Sequence, residues 1–180
     1  ILKVYENMNN NLMDDLPKNF APYKDKIVKT QCPSILLQLH PASNLPLWQS
    51  KIGGKPYLPL EIDYPQNEDG YPLQLIAQIN FAELPDNELY PKTGILQFYI
   101  DAQDDVWGLN FEDQCDQTGF RVLYHEHVLQ DENQLHQFDE NWENEQFDQS
   151  HISGEYAISF HIEQQFISLV DKNFAKQSWL

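Results

Sequence analysis

The apolar residues at the start of this chain follow a helical period. They are spaced three or four residues apart and are followed by Pro17: Ile1, Tyr5, Met8, Leu12 and Leu16. This spacing puts them on one side of a helix, and proline cannot continue a helix. The pattern therefore predicts an amphipathic helix over residues 1–16.

The rest of the chain favours β-structure, because stretches of β-branched and aromatic residues alternate with Gly, Pro, Asn and Asp. Two short strands are predicted first, over 27–31 and 35–40, since Cys32-Pro33 would interrupt a ladder of hydrogen bonds. Longer strands are predicted at 74–80, 94–101, 105–111, 119–129 and 155–162. Their spacing favours antiparallel pairing, and a second helix is expected to start within 163–171.

Two segments depart from this pattern. Residues 41–72 are dense in Pro and Gly, which excludes a helix there. Residues 131–150 contain seven acids, seven Asn or Gln and no base. Leu135, Phe138 and Trp142 would form a short helical stripe in that segment, and an acidic surface loop is an equally good interpretation.

These elements together predict an α+β fold, mainly an antiparallel β-sheet with a few short helices. The length of 180 residues suits a single domain, 1–180, with a core of its own. Aromatic residues make up 13% of the chain, which disfavours disorder. Cys32 and Cys115 are too few for a disulfide scaffold and are expected to be free thiols of a reducing compartment.

The charge is strongly negative and unevenly distributed. The chain has 28 acids and 11 bases, a formal net charge of −17, and seven of the bases are lysines within residues 1–60. Such a field repels phosphate backbones, so a basic nucleic-acid-binding patch is excluded, and it attracts a cationic partner. Solubility alone is the simpler explanation of an acidic surface.

Membrane insertion and export are not predicted. The longest apolar runs, such as Leu75-Ile76-Ala77, are three residues long, far short of a membrane span. The first twenty residues lack the basic, apolar and small-residue order of a signal peptide. We therefore expect a cytoplasmic protein.

His125 and His127 flank Glu126, and on a strand both imidazoles would share one face. A metal ion there would need a third ligand from the remaining histidines, such as His136, His151 or His161. Arg121 and two leucines share the same face and would make a poor ligand shell. Two ordinary strand histidines are favoured, and no metal ligand is assigned.

A second candidate for metal binding is a cluster of acids: Asp101, Asp104, Asp105, Glu112, Asp113 and Asp116. The cluster lacks the central Gly and the bidentate Glu of an EF-hand. Aspartates of this kind more often punctuate turns. A low-affinity divalent-cation module is kept as an alternative, and no cofactor is assigned.

Motifs of catalysis are scarce. The chain has no Gly-x-Ser-x-Gly motif, and its cysteines carry no catalytic signature. Gly53-Gly54 is not followed by the Gly-Lys-Ser/Thr of a phosphate loop, so the pair is expected to supply positive φ or close backbone approach at a turn. Hydrolysis by a carboxylate pair stays open, because 28 acids offer many pairs.

An ordered set of motifs resembles the YwqG-like family of bacterial proteins, a domain of unknown function. The motifs are Gly53-Gly54, Leu58-Pro59, Tyr64-Pro65, Ala77-Gln78-Ile79-Asn80 and Gly94-Ile95-Leu96-Gln97-Phe98. The similarity covers about residues 45–170, and the family has Trp-Pro in place of Tyr64-Pro65. The resemblance implies an α+β fold rich in antiparallel sheet and transfers no catalytic residue.

The resemblance has two further implications. Family members are commonly longer, so the chain would be a shortened member or a fragment, and self-association or a partner would cover an unpaired sheet edge. The resemblance also implies a role as an immunity protein beside bacterial toxins. An acidic immunity protein would suit a basic toxin, because opposite fields speed association.

We therefore expect a non-catalytic, acidic binding protein with a basic protein partner. The contact surface is predicted within 101–116 and 131–148, at Asp101, Asp104, Asp105, Trp107, Asp113, Asp116 and Trp142. Roles in the fold are assigned to Gly53, Gly54, Gln78 and Gly94. The alternative is a small enzyme or ligand-binding domain with a site formed by the Gly-Gly loop, Gln78 and the acids near Asp101.

Overall fold

The computed structural model describes residues 18–139, 142, 147, 152 and 154–166. The helix predicted over 1–16 lies outside these residues. The chain divides into two compact units, one formed by Ile1–Ile35 with Ile162–Leu180 and the other by Leu36–His161. The described start of the first unit is a 3-10 helix, Lys18–Tyr23, which leads directly into α1, Lys24–Val28.

The described residues contain one six-stranded sheet. Its strands are β1 (Gln31–Ala42), β2 (Lys51–Ile52), β3 (Gln74–Asn80), β4 (Ile95–Ile100), β5 (Phe120–His125) and β6 (Glu155–Phe166). The spatial order is β1-β6-β2-β3-β4-β5, and the pairs β6–β2, β2–β3, β3–β4 and β4–β5 are antiparallel. The prediction of a mainly antiparallel sheet is confirmed. Helical structure is a minor part of the described chain and includes α1, the helical residue Trp142 and short 3-10 helices such as Phe81–Glu83 and Glu132–Gln134.

The strand predicted over 27–31 is wrong. Residues 24–28 form α1, and β1 runs without a break from Gln31 to Ala42, through Pro33 and Pro41. β1 lies at one edge of the sheet. An edge strand has an open side on which a missing N–H breaks no ladder bond, so it tolerates proline.

Two other predicted elements also differ from the structure. Residues 163–166 belong to β6, so the helix expected from 163 does not start there, and residues 167–171 lie outside the described part. Residues 105–111 form turns and bends instead of a strand. The remaining strand predictions hold with shifted ends, and β5 stops at His125, four residues before the predicted end.

The core lies on one face of the sheet, beneath irregular chain. One cluster joins Tyr57, Ile95 and Leu135, and a second joins Leu73, Leu75 and Tyr99. Tyr57, Leu73 and Leu135 come from outside the strands, so the loops before β3 and after β5 supply half of these buried side chains. Between 41 and 72 the chain has no helix, as its Pro and Gly content predicts.

Gly108 makes a close backbone contact in the connection between β4 and β5. Its φ is +78°, and a Cβ at this position would overlap the carbonyl oxygen of Gly119. Gly70 has a similar φ of +82°, but nothing lies within 4 Å of the place its Cβ would take. The two glycines therefore share the same backbone conformation, but only Gly108 lies in close contact with another part of the backbone.

We expect Gly108→Ala to lower the free energy of unfolding by about 2–3 kcal/mol, because it adds a steric clash to left-handed strain. The control, Gly70→Ala, carries only the strain and should cost about 1 kcal/mol. Urea unfolding of both variants measures the difference. Equal losses would show that Gly108 and Gly119 are not in close contact.

Candidate functional site

A row of polar side chains crosses the core face of the sheet, from β6 to β5. In order across the strands they are Glu155, Lys51, Gln78, Gln97 and His125. Lys51 is the register partner of Gln78, and Gln78 is the register partner of Gln97. Lys51, Gln78 and Gln97 are completely buried, so each must have partners inside the protein.

An ion pair forms one end of this row. The Lys51 ammonium lies 3.0 Å from Glu155 Oε1 and donates to the Lys55 carbonyl at 3.1 Å. Glu155 Oε2 accepts a hydrogen bond from the backbone N–H of Leu45 at 3.1 Å. The carboxylate thus neutralises a buried cation and at the same time binds the loop that follows β1.

The glutamine pair in the middle binds the backbone of Tyr57. Gln78 Oε1 accepts from Tyr57 N–H at 2.8 Å, and Gln97 Nε2 donates to the Tyr57 carbonyl at 2.7 Å. The amides also bond each other, from Gln97 Nε2 to Gln78 Oε1 at 2.7 Å. Gln78 Nε2 donates to the carbonyls of Leu47 and Gln49, so its donors and its acceptor are all in use.

His125 closes the row at the edge strand. Its Nε2 lies 2.9 Å from Gln97 Oε1. Because both donors of the Gln97 amide group are already used, Oε1 is the acceptor, and the neutral imidazole therefore carries its proton on Nε2. Burial lowers the pKa of His125, since desolvation disfavours the imidazolium. Burial also raises the pKa of Tyr57, whose ring stands edge-on to the imidazole.

The Gly-Gly turn lies beside the ion pair. Gly53 and Gly54 both have positive φ, and a Cβ on Gly54 would stand 2.5 Å from Glu155 Oε1. Gly94 also has positive φ and lies against the ring of Tyr124. These contacts are between packed parts of the fold.

The rival enzyme site is not assembled in one place. Asp101 lies four residues beyond Gln97, the register partner of Gln78, which corresponds to about 13 Å along an extended strand. Its carboxylate binds Asn67 Nδ2 at 2.7 Å and the N–H of Gln103 at 2.9 Å. Asp101 and Gln78 therefore serve different parts of the core.

The metal-binding candidates are also separated. His125 faces the core, whereas Glu126 and His127 lie beyond the end of β5, so the strand face assumed for the two histidines does not exist. In the described part of the chain, no three His, Cys, Asp or Glu side chains form a group that would hold a metal ion.

The acids of residues 101–119, the acidic loop between β4 and β5, fold this segment through their own side chains. Asp104 accepts hydrogen bonds from the N–H groups of Val106 and Gly108. Asp113 accepts from Cys115, and Asp116 accepts from Thr118. These carboxylates accept hydrogen bonds from backbone N–H groups two to four residues later in the chain, and such groups are then not available for pairing with another strand. This competition explains why 105–111 is not a strand.

The same loop orients polar and apolar groups in a fixed way. Asn110 bonds Asp116 at 3.0 Å, and this hydrogen bond is the main reason that the pKa of Asp116 is lowered. Trp107 has a positive φ of 61° and is 55% exposed, and Phe111 is 74% exposed. Val106 and Leu109 are exposed as well. An acidic loop therefore presents four large apolar side chains to solvent.

The predicted contact residues fall into two groups. Asp101, Asp104, Asp105, Trp107, Asp113 and Asp116 all belong to the acidic loop. Trp142 lies elsewhere, with its ring 5.2 Å from that of Tyr64, which packs against the core residue Tyr99. Trp142 is therefore part of an aromatic cluster on the core side and is not next to Trp107.

Sequence reasoning missed the exposed residues of the neighbouring strands. Phe98 and Val122 are register partners, and both are exposed on the face of the sheet opposite the core. Tyr124 is exposed on the same face. The signal is visible in Ile95–Ile100 and Phe120–Leu123, where apolar residues occupy both alternating positions instead of one.

The structure is therefore an antiparallel sheet whose core face is covered by loops. The row of polar side chains holds these loops in place, and the acidic loop lies at one end of the sheet. The family model for the domain of unknown function DUF1963 matches residues 50–179, more than two thirds of the chain. The chain therefore belongs to this family. No curated protein matches the chain. In the described residues, no helix has the length and apolar character needed to cross a membrane.

We expect Glu155→Gln to lower the free energy of unfolding by about 3 kcal/mol, because it removes the carboxylate that neutralises buried Lys51. Adding Lys51→Met to it should restore part of the loss, since no charge is then buried at this position. Asp86→Asn, which breaks the exposed pair with Lys92, is the control and should leave the unfolding midpoint unchanged. A Glu155→Gln midpoint equal to that of the wild type would contradict the prediction.

The lowered pKa of His125 predicts a loss of stability at mildly acidic pH. Between about pH 7 and 5 the unfolded chain takes up a proton on this residue that the folded protein binds less readily, so stability falls as pH falls. His125→Gln should flatten the curve by up to about 1.4 kcal/mol per pH unit. Urea unfolding of the wild type and of His125→Gln at several pH values across this range measures the effect. Parallel curves of unfolding free energy against pH would contradict the role given to His125.

Proposed function

We propose that this protein is a non-catalytic binding protein that uses its acidic loop to hold a basic protein partner. The observation that carries the proposal is the loop itself: its carboxylates fix the backbone, and four of its large apolar side chains are exposed. A soluble surface gains nothing from Trp107 and Phe111 in such positions, whereas a binding surface does.

The two kinds of side chain have different parts in binding. Large aromatic residues are the usual anchors of protein interfaces, because their burial contributes most of the affinity. The six acids of 101–119, with no base among them, would attract a cationic partner from a distance and fix its orientation. Apolar anchors with an acidic rim suit a basic protein.

The enzyme alternative receives less support. Asp101, Asp104, Asp113 and Asp116 each accept hydrogen bonds from the chain around them. Such bonds are the chemistry of turns, and a catalytic pair needs two carboxylates that converge on one substrate.

The finer form of the proposal follows the resemblance to the YwqG-like family. We infer an immunity protein, which blocks a basic toxin by covering its active surface and needs no catalytic residues of its own. A cytoplasmic location belongs to the same inference, because Cys32 and Cys115 are both exposed and free, as a reducing compartment allows.

The proposal is tested by capture of the partner from a lysate of the source cells. The charge variant carries Asp105→Asn, Glu112→Gln and Asp113→Asn. Its control carries Glu61→Gln, Glu88→Gln and Glu126→Gln, three exposed acids outside both predicted contact segments, so both variants lose the same charge. We expect the wild type and the control to capture one basic protein that salt releases, and the charge variant to capture much less.

The comparison separates the loop from the overall charge of the protein. Equal capture by all three proteins, or equal loss in both variants, would contradict a binding site on the acidic loop. Capture of no protein above the level of the bare matrix would contradict the proposal as a whole.

A further inference from the structure

The side of the sheet opposite the core has an apolar groove at its β4–β5 end. The floor consists of cross-strand pairs, Phe98 with Val122 and Ile100 with Phe120. Trp107 and Leu109 of the acidic loop form one wall. The groove has a volume of about 220 Å³ and lies wholly within the unit formed by Leu36–His161.

The groove is open to solvent despite its apolar lining. Phe98, Trp107, Leu109 and Val122 are all exposed. An exposed apolar surface of this kind, with a polar rim, marks a place where another molecule binds. The volume is below the range of roughly 300–1,000 Å³ that is typical of small-molecule sites, so protein side chains are better suited to it than a metabolite.

Among the described residues β5 is the last strand of the sheet, and its outer edge is protected against the addition of another strand. The backbone N–H of Val122, near the middle of the strand, donates to Gln117 Oε1 at 2.9 Å. A partner strand would have to break that bond before it could pair there. The face of β5, rather than its backbone edge, is therefore the part that the structure offers to a partner.

The negative charge beside the groove indicates which kind of partner would fit it. Asp104, Asp105, Glu112 and Asp113 belong to the loop that forms its wall. Arg121 also borders the groove, but its register partner is Tyr99, so its side chain starts from the core face of the strand. The rim that belongs to the acidic loop is therefore negative.

We propose that this groove receives the apolar side of a basic amphipathic helix from the partner protein. Apolar residues of that helix, three or four positions apart, contact Phe98, Val122 and Trp107, and the lysines or arginines beside them contact the acids of the loop. The proposal rests on the proposed function and names the chemistry of the partner that the acidic loop would hold.

The probe is a labelled peptide of about 18 residues, made of leucine and lysine in a helical amphipathic order. One control peptide has the same composition in a non-amphipathic order, and another has glutamate in place of lysine. The groove variant of the full chain carries Phe98→Thr and Phe120→Thr, two residues of the groove floor that lie outside the acidic loop, and threonine is chosen because it suits a strand. Its matched control carries Leu60→Ser and Leu89→Ser, two exposed leucines outside the groove.

Fluorescence anisotropy at low salt measures the dissociation constants. We expect the groove variant to weaken binding of the amphipathic peptide roughly tenfold and the matched control to change it less than about twofold. The reordered peptide should bind weakly and the glutamate peptide not at all. Val122→Thr, which keeps the shape of the side chain and adds a hydroxyl to the floor, should give a smaller loss in a fully folded protein.

The outcomes separate this inference from the proposed function. If the charge variant loses binding while both groove variants bind like the wild type, the groove proposal is wrong and the acidic loop remains the binding surface. If the groove variants lose binding and the charge variant does not, binding depends on apolar contacts alone, and the proposal of a basic helix is wrong. If no variant differs from the wild type, both proposals fail.

Discussion

The fold depends on the hydrogen bonds between the side chains of Gln78 and Gln97 and the backbone of Tyr57. The segment before β3 has almost no strand structure, so its buried N–H and C=O groups need partners from elsewhere. The two amides supply them, at 2.7–2.8 Å, from the centre of the sheet. Without these bonds, several buried polar groups would remain unpaired at a cost of about 1–3 kcal/mol each. The covered core face is the direct consequence.

The same requirement explains why the core face of an acidic protein contains a buried cation. Lys51 and Glu155 bind the loops around β2 through Lys55 and Leu45, in the way that the glutamines bind Tyr57. The side chains of the polar row thus bind other parts of the fold. The opposite face has the reverse character, because its strands present Phe98 and Val122 to solvent. A binding role is therefore better placed on the outer face than on the core face.

The acidic loop connects fold and proposed function. Its aspartates bond the backbone just ahead of them, which keeps the chain out of the sheet and holds Trp107 in a left-handed conformation. The proposed partner would meet side chains that are already fixed, and a fixed surface loses less entropy on binding. Negative charge and exposed aromatic groups occur in one loop because a carboxylate that bends the chain, Asp104, bonds the residues on either side of Trp107.

Local patterns in the sequence determined much of this protein: β3, β4 and β5, the absence of a helix in 41–72, the strong negative charge and the family. They follow from residue type and period, which the sequence shows directly. Tertiary structure alone decided that β1 continues through Pro33 and that Phe98 meets Val122 on an open face, whereas the turns of 105–111 follow from local hydrogen bonds of Asp104 that the apolar pattern does not show. Each of these depends on a neighbour distant in sequence or on competition for backbone hydrogen bonds, and local periodicity contains neither.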